Sequence, residues 1–345
     1  MSQYRNGASR TGVYDSPALR AEPTLLWQFS IQRPVRMTPA VANDSVFIGG
    51  ESGVLYSLDI NTGELQWEFS SSAPFVSTPA IVNGVLYVGG LDSTVYALDT
   101  KNGTEIWRFE TAGQIYSSPA LVENVIYIGS RDQSVYALDA ETGELLWRYE
   151  MPDEIWSSPA VTNGTVYIGS LDGTLSALDS TTGSLLWQVE GGGALNATAA
   201  LANDFVYIGA GSTMFALDAA TGDVRWQSTF SSDIYSSASV ADGVVYVNDI
   251  GGELRALDAT TGDLLWFVTI GGPAYSSPSY ADGVIYSVTE AEGLMFAFDA
   301  ETGAELWRYR TGTQGDWRAA SPVLVEGVLF ISSNTEGLLA LYHDD

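Results

Sequence analysis

The chain has 345 residues, no cysteine and one histidine, His343, third from the end. Thiol nucleophiles, disulfides and thiolate metal sites are therefore excluded, and so are most Ser-His triads and multi-histidine zinc centres. Forty-two acids oppose fourteen bases, a formal net charge of −28, which opposes docking on a phosphate backbone, so no nucleic-acid partner is expected.

Lysine occurs once, at Lys101, and the other thirteen bases are arginine. Such a composition is the one expected of a halophilic protein with an acidic surface. At molar salt the screening length falls to about 3 Å, and self-repulsion no longer strains the compact state. There is no apolar run of the roughly 18 residues that a transmembrane helix needs, so no transmembrane segment is expected. The start, MSQYRNGASR, has no apolar h-region, so no signal peptide is expected in this chain.

In chain order, residues 1–23 are a lead-in without repeats. Thr24 to Ser30, "TLLWQFS", reads as a β-strand carrying Trp27. A period then takes over. Trp27, Trp67, Trp107, Trp147, Trp187, Trp226, Trp266 and Trp307 are 40, 40, 40, 40, 39, 40 and 41 residues apart. Four residues before all but the first lies a glycine (Gly63, Gly103, Gly143, Gly183, Gly222, Gly262, Gly303). Ten before lies Ser57 or an alanine. The phrases "SSPA" and "VYIGS" keep the same beat, and the segments are short, rich in Val, Ile, Tyr and Trp, and punctuated by Gly, Asn and Asp.

The third repeat shows the expected layout. Strand A is Ser117 to Val122, and the turn Glu123-Asn124 leads to strand B, Val125 to Gly129. Strand C is Ser134 to Leu138. The turn "DAETG" then leads to strand D, Leu145 to Tyr149. The A–B turns are mostly residues that tolerate positive φ, as two-residue hairpins require. In the "DxxTG" turns, Asp59, Asp99, Asp139, Asp179, Asp218, Asp258 and Asp299 are read as turn-formers that bind their own following N–H groups. Each tryptophan is expected to cover the small residue of strand C and to dock blade to blade, as core rather than cofactor ligand.

A single sheet of about 40 residues cannot bury both faces, and radial stacking solves this as a propeller. Counting gives eight A, B and C strands but only seven D strands after a DxxTG turn. The expected fold is all-β: an eight-bladed β-propeller of four-stranded antiparallel sheets. The Trp27 strand completes the last blade and meets Ala340, which closes the ring. The expected division is a lead-in, 1–23, and one propeller domain, 24–345.

The phrases "ALDxxTGxxxW", "SSPA" and "VYIGS", spread from about Pro23 to Tyr342, resemble the repeat of the pyrroloquinoline-quinone-type (PQQ-like) propellers. The opening "YRNGASRTGVY", Tyr4 to Tyr14, resembles the lead-in of the non-enzymatic members, which include the lipoprotein propeller of outer-membrane protein assembly. The resemblance implies an extracytoplasmic or cell-surface location. The dehydrogenases of the superfamily are longer, carry a roof over the quinone and place a calcium or lanthanide among acidic and amide side chains on long loops. Here no position matches that triad or a catalytic aspartate.

Two faces follow from the strand order. The A–B and C–D turns share one; the longer B–C and D–A loops share the other, where binding is expected. Residues just before each "SSPA"-type phrase fall at the mouth of the central channel: Arg36, Val76, Tyr116, Trp156, Asn196, Tyr235 and Tyr275, with Trp317 and Arg318 in the irregular eighth repeat. Such a ring could stack a flat anionic ligand or plug the mouth. Acids of the B–C loops (Glu51, Asp92, Asp132, Asp172, Asp249, Glu290, Glu292, Glu336) are read as solvated charge, with Ca²⁺ binding as the rival reading. Asn43, Asn102, Asn163 and Asn196 begin N-x-S/T sequons, relevant only outside the cell.

The expectation is a non-catalytic binding or scaffold module, monomeric, whose loop face takes a protein partner or a small anionic ligand. No cofactor or resident metal is expected. The alternative is a reduced PQQ-dependent dehydrogenase, with quinone and Ca²⁺ at the channel mouth.

Overall fold

A computed structural model describes residues 3–31, 33–290, 293–312 and 320–343. Thirty-two strands form eight four-stranded antiparallel sheets, each ordered A-B-C-D outward from the axis. Blades 1 to 7 span residues 40–70, 80–110, 120–150, 160–190, 200–229, 239–269 and 279–310. Blade 8 takes strands A to C from 323–342 and its outer strand, Thr24–Phe29, from the other end of the chain. Trp27 lies opposite Ala340 in that pairing. The eight-bladed closed ring expected from the repeat count is the observed fold.

Strand A is shorter than the sequence suggested: in blade 3 it is Ala120–Val122, not Ser117 to Val122. The reason lies in the Ser-Ser-Pro segment. Pro119 has no N–H for a ladder. Ser118 N–H is bonded to the next blade, to Ser158 Oγ at 2.9 Å, and Ser117 Oγ accepts from Gly129 N–H at 3.1 Å. Those three residues therefore leave the ladder: Ser118 reaches sideways to the next blade, and Ser117 bonds through its side chain within its own.

The turn chemistry acts locally. Asp139 Oδ1 accepts from Glu141 N–H, Thr142 N–H and the Thr142 hydroxyl. These bonds hold its carboxyl below the usual carboxylate range, with the Thr142 N–H as the largest cause. Gly143, at φ +75°, closes the turn with its N–H on the Asp139 carbonyl.

The tryptophans join blade to blade. Trp107 lies opposite Ala97 in its own sheet, while its indole N–H donates to the Ala140 carbonyl of the next blade at 3.0 Å. A Cβ on Gly143 would come within 2.7 Å of that indole. Only glycine lets the turn approach so closely. Tyr87 of the same blade also donates to Ala140, at 3.0 Å. At the seam, Trp27 donates to Ile60 in blade 1 and packs on Gly63. Blade 8 has no C–D turn of its own, and Trp307 of blade 7 donates instead to the carbonyl of Leu19 in the lead-in.

Candidate functional site

The lead-in threads the channel. The middle residue of each strand A is a non-hydrogen-bonded position of its hairpin, so its N–H and C=O point toward the axis. Residues 3–14 occupy those groups on five consecutive blades. The Gln3 amide brackets Leu121, with both bonds at 2.9 Å. Val161, Leu201, Val240 and Tyr280 N–H donate to the carbonyls of Ala8, Ser9, Thr11 and Gly12. The chain then leaves on the turn face, where Ser16 Oγ accepts from Gly327 N–H and Arg20 donates to the Asp282 carbonyl.

Two arginines of this segment are fully internal, Arg5 at 2% and Arg10 at 0% exposure. Arg10 donates to the carbonyls of Pro159, Tyr4, Ser118 and Pro119. Arg5 donates to those of Arg10, Pro278 and Ala238. Among the described residues neither has an ion-pair partner. Burial lowers the pKa of both, that of Arg10 to about 9; a guanidinium nonetheless keeps its proton in proteins.

Above them lies a cavity of about 130 Å³ that opens on the loop face, with Tyr4 in its lining. Arg36, Val76, Tyr116, Trp156, Asn196, Tyr235 and Tyr275 all line it. The spacing thus brought seven mouth residues together; Trp317 and Arg318 lie outside the described residues. The aromatics are already engaged with one another. Tyr116 and Trp156 stack at 5.3 Å between centroids, and Arg131 lies over both rings and pairs with Glu154 at 2.7 Å. Tyr235 meets Tyr275 edge-on at 5.6 Å. Arg36 pairs with Glu51 at 2.7 Å.

Deeper in the same cavity is a ring that the sequence reading passed over. It is built from the second residue of each "SSPA"-type phrase: Thr38, Thr78, Ser118, Ser158, Thr198, Ser237, Ser277 and Ser321. From Thr78 round to Ser321, each backbone N–H donates to the side-chain oxygen of the next, and Ser321 N–H donates to Thr38 Oγ1. The signal was present in the sequence as a Ser or Thr at the second place of all eight phrases. It gave no hint that all eight would face one axis.

The loop acids do not converge. Asp92 and Asp132 each cap their own turn and accept from Tyr96 and Tyr136. Asp172 binds Ser170 and Thr174, Asp249 accepts from Glu253 N–H, and Glu336 from Gln28. No group of three His, Asp or Glu side chains that could hold a metal occurs among the described residues, and Glu292 lies outside them. Among the described residues the loop acids thus do not assemble the donor set of a calcium-assisted quinone site. Glu290 differs from its counterparts. It is 4% exposed, its Oε1 accepts from Tyr275 and Ser276 N–H, and its Oε2 has no partner among the described residues. Burial pushes its carboxyl up to about 7. Asn43 and Asn163 take positive φ in the A–B turns, and His343 is exposed.

The family described as outer membrane protein assembly factor BamB matches residues 18–116, 91–242 and 216–345. The chain belongs to that family. Among solved structures it is similar to BamB from Moraxella catarrhalis, with 17% identity and TM-score 0.80, covering 94% of this chain and 98% of that one. It is also similar to the computationally designed Ika8 protein, with 19% identity and TM-score 0.82 over 92% and 99% of the two chains. The quinohemoprotein alcohol dehydrogenase ADHIIG from Pseudomonas putida HK5 has 16% identity and TM-score 0.84 over 99% of this chain and 80% of its own. No curated protein matches the sequence. At these identities the likenesses to solved structures carry the fold alone.

Proposed function

We propose that the protein is a non-catalytic, monomeric binding module whose loop face receives a protein partner, in an extracytoplasmic setting. Membership of the BamB family supports this reading. The observation that carries it is the prior pairing of the mouth aromatics. A planar ligand held between two rings needs centroids about 7 Å apart, twice a van der Waals contact. Tyr116 and Trp156 stand 5.3 Å apart, with Arg131 spread over both. They form a ready platform of aromatic and arginine side chains, the residue types enriched at protein interfaces. No helix among the described residues is long and apolar enough to cross a membrane.

The second reading, a reduced quinone-dependent dehydrogenase, draws support from the shared fold of the alcohol dehydrogenase. Titration with PQQ and Ca²⁺ in molar salt separates the two, followed by quinone absorbance and melting temperature. The binding-module reading expects no saturable change. Saturable binding that Trp156→Ala or Arg36→Ala abolishes would replace it with the enzyme reading. For the partner itself, a photo-crosslinking residue at Tyr235 on the loop face is compared with one at Glu141 on the turn face. Capture is expected from Tyr235 alone.

A further inference from the structure

The hydroxyl ring and the buried arginines raise a charge problem that the binding-module reading does not touch. Burying an ionised side chain costs several kcal/mol unless something compensates it. Arg5 and Arg10 are compensated by neutral carbonyls, and no carboxylate of the described residues bonds to either. Those carbonyls sit beside the ring. Pro159, Ala238, Pro278 and Pro119 each directly follow a ring residue. Two positive charges therefore lie one residue beneath the hydroxyls, inside a chain of net charge −28.

The hydroxyls face that field in a particular state. Seven of the eight oxygens, all but that of Thr78, accept a backbone N–H from the neighbouring ring residue, and all eight residues are at least nine-tenths buried. None of their hydroxyl hydrogens is used by an acceptor among the described residues. A hydroxyl has one donor, so eight donors on the lining of one cavity are left for whatever that cavity holds. The described lining of that cavity holds Arg36 and no carboxylate. Donors in excess, acceptors already engaged and two cations beneath make a receptor for negative charge, since hydrogen bonds to an ion are about twice as strong as neutral ones. The volume, about 130 Å³, suits an ion with a few waters and is small for a large organic ligand.

We propose that the ring of Thr38, Thr78, Ser118, Ser158, Ser237 and their equivalents is a binding site for a small inorganic anion, chloride in its working salt, which neutralises Arg5 and Arg10. The anion is a structural counter-ion that fastens the lead-in in the channel. It is independent of any partner on the loop face.

The test uses the full chain. Crystals soaked in bromide should show an anomalous peak inside the ring, within hydrogen-bond reach of the Ser158 and Ser237 hydroxyls. In solution, chloride-35 resonance should show excess line width that saturates with chloride. The double variant Ser158→Ala/Ser237→Ala should weaken that site by roughly tenfold or more, because it removes two of the hydroxyl donors that would hold the ion. If the double variant does not fold, the bromide soak of the unaltered protein decides alone. Bromide found only on the outer surface or over Arg36, with the ring holding water, overturns the proposal. Either outcome leaves the crosslinking comparison at Tyr235 unaffected.

Discussion

Substituting alanine for the turn glycine Gly143 tests how the blades are joined. Gly143 and Gly164 share φ +75°, so an alanine at either meets the same backbone penalty, roughly 1–2 kcal/mol for an L-residue in the left-handed region. Their surroundings differ. At Gly164 the nearest atom to a new Cβ is Ser180 Oγ, at 3.9 Å, an ordinary contact. At Gly143 the Cβ would lie 2.7 Å from Cδ2 and Cε3 of Trp107, so the indole must move. Its N–H bond to Ala140, 3.0 Å long, would then stretch. Overpacking of this kind adds about 1–3 kcal/mol. Gly143→Ala should therefore cost about 2–5 kcal/mol in denaturant unfolding, and Gly164→Ala about 1–2. In a Trp107→Ala background the Gly143→Ala penalty should fall to the Gly164 value, a coupling on the order of 1–3 kcal/mol. Equal penalties at the two glycines, or a Gly143 penalty that survives loss of the indole, would refute the account of blade docking.

Further outcomes can be checked with the same purified chain. Trp27 is 8% exposed, so Trp27→Ala should cost about 3–5 kcal/mol, and limited proteolysis should then begin in Thr24–Phe29, the strand that closes the ring. Glu290 is buried and its folded pKa is raised from 4.5 to about 7, so the folded state holds the extra proton and stability is lost as pH rises through that window. Relative to Glu290→Gln, the native chain should lose roughly 3 kcal/mol between about pH 4.5 and pH 8; parallel pH profiles would show that this carboxyl is not the buried one. With a net charge of −28, the fold should melt at higher temperature as KCl rises from about 0.1 M to a few molar. A flat or falling melting temperature removes the halophilic reading.

Much of the fold was legible because the chain repeats itself. Trp67 to Trp307 keep their distance from the turn glycines, and period-2 strands between Asn-Gly and Asp-Gly turns have few other solutions. Trp27 before the first full repeat and Ala340 after the last implied a ring closed across the chain ends, since an open last blade would leave an edge unpaired. The mouth was legible for a similar reason: Tyr116, Trp156 and Tyr235 hold one place in the repeat, and rotation about an axis carries equivalent residues to one rim.

Other features lay beyond any repeat. Residues 3–14 have no period, so nothing in the sequence told that Gln3, Ala8, Ser9, Thr11 and Gly12 would meet five strands in turn. Hydrogen bonds between segments more than a hundred residues apart, such as Gln3 with Leu121, depend on where the ring places the strand edges. The unpartnered oxygen of Glu290 and the pairing of Tyr116 with Trp156 likewise arise from neighbouring loops. The sequence by itself determined the blade, its number and its closure, because those follow from local pattern repeated. Only the tertiary structure decided what fills the axis, because the central channel is made by all eight blades and belongs to none of them.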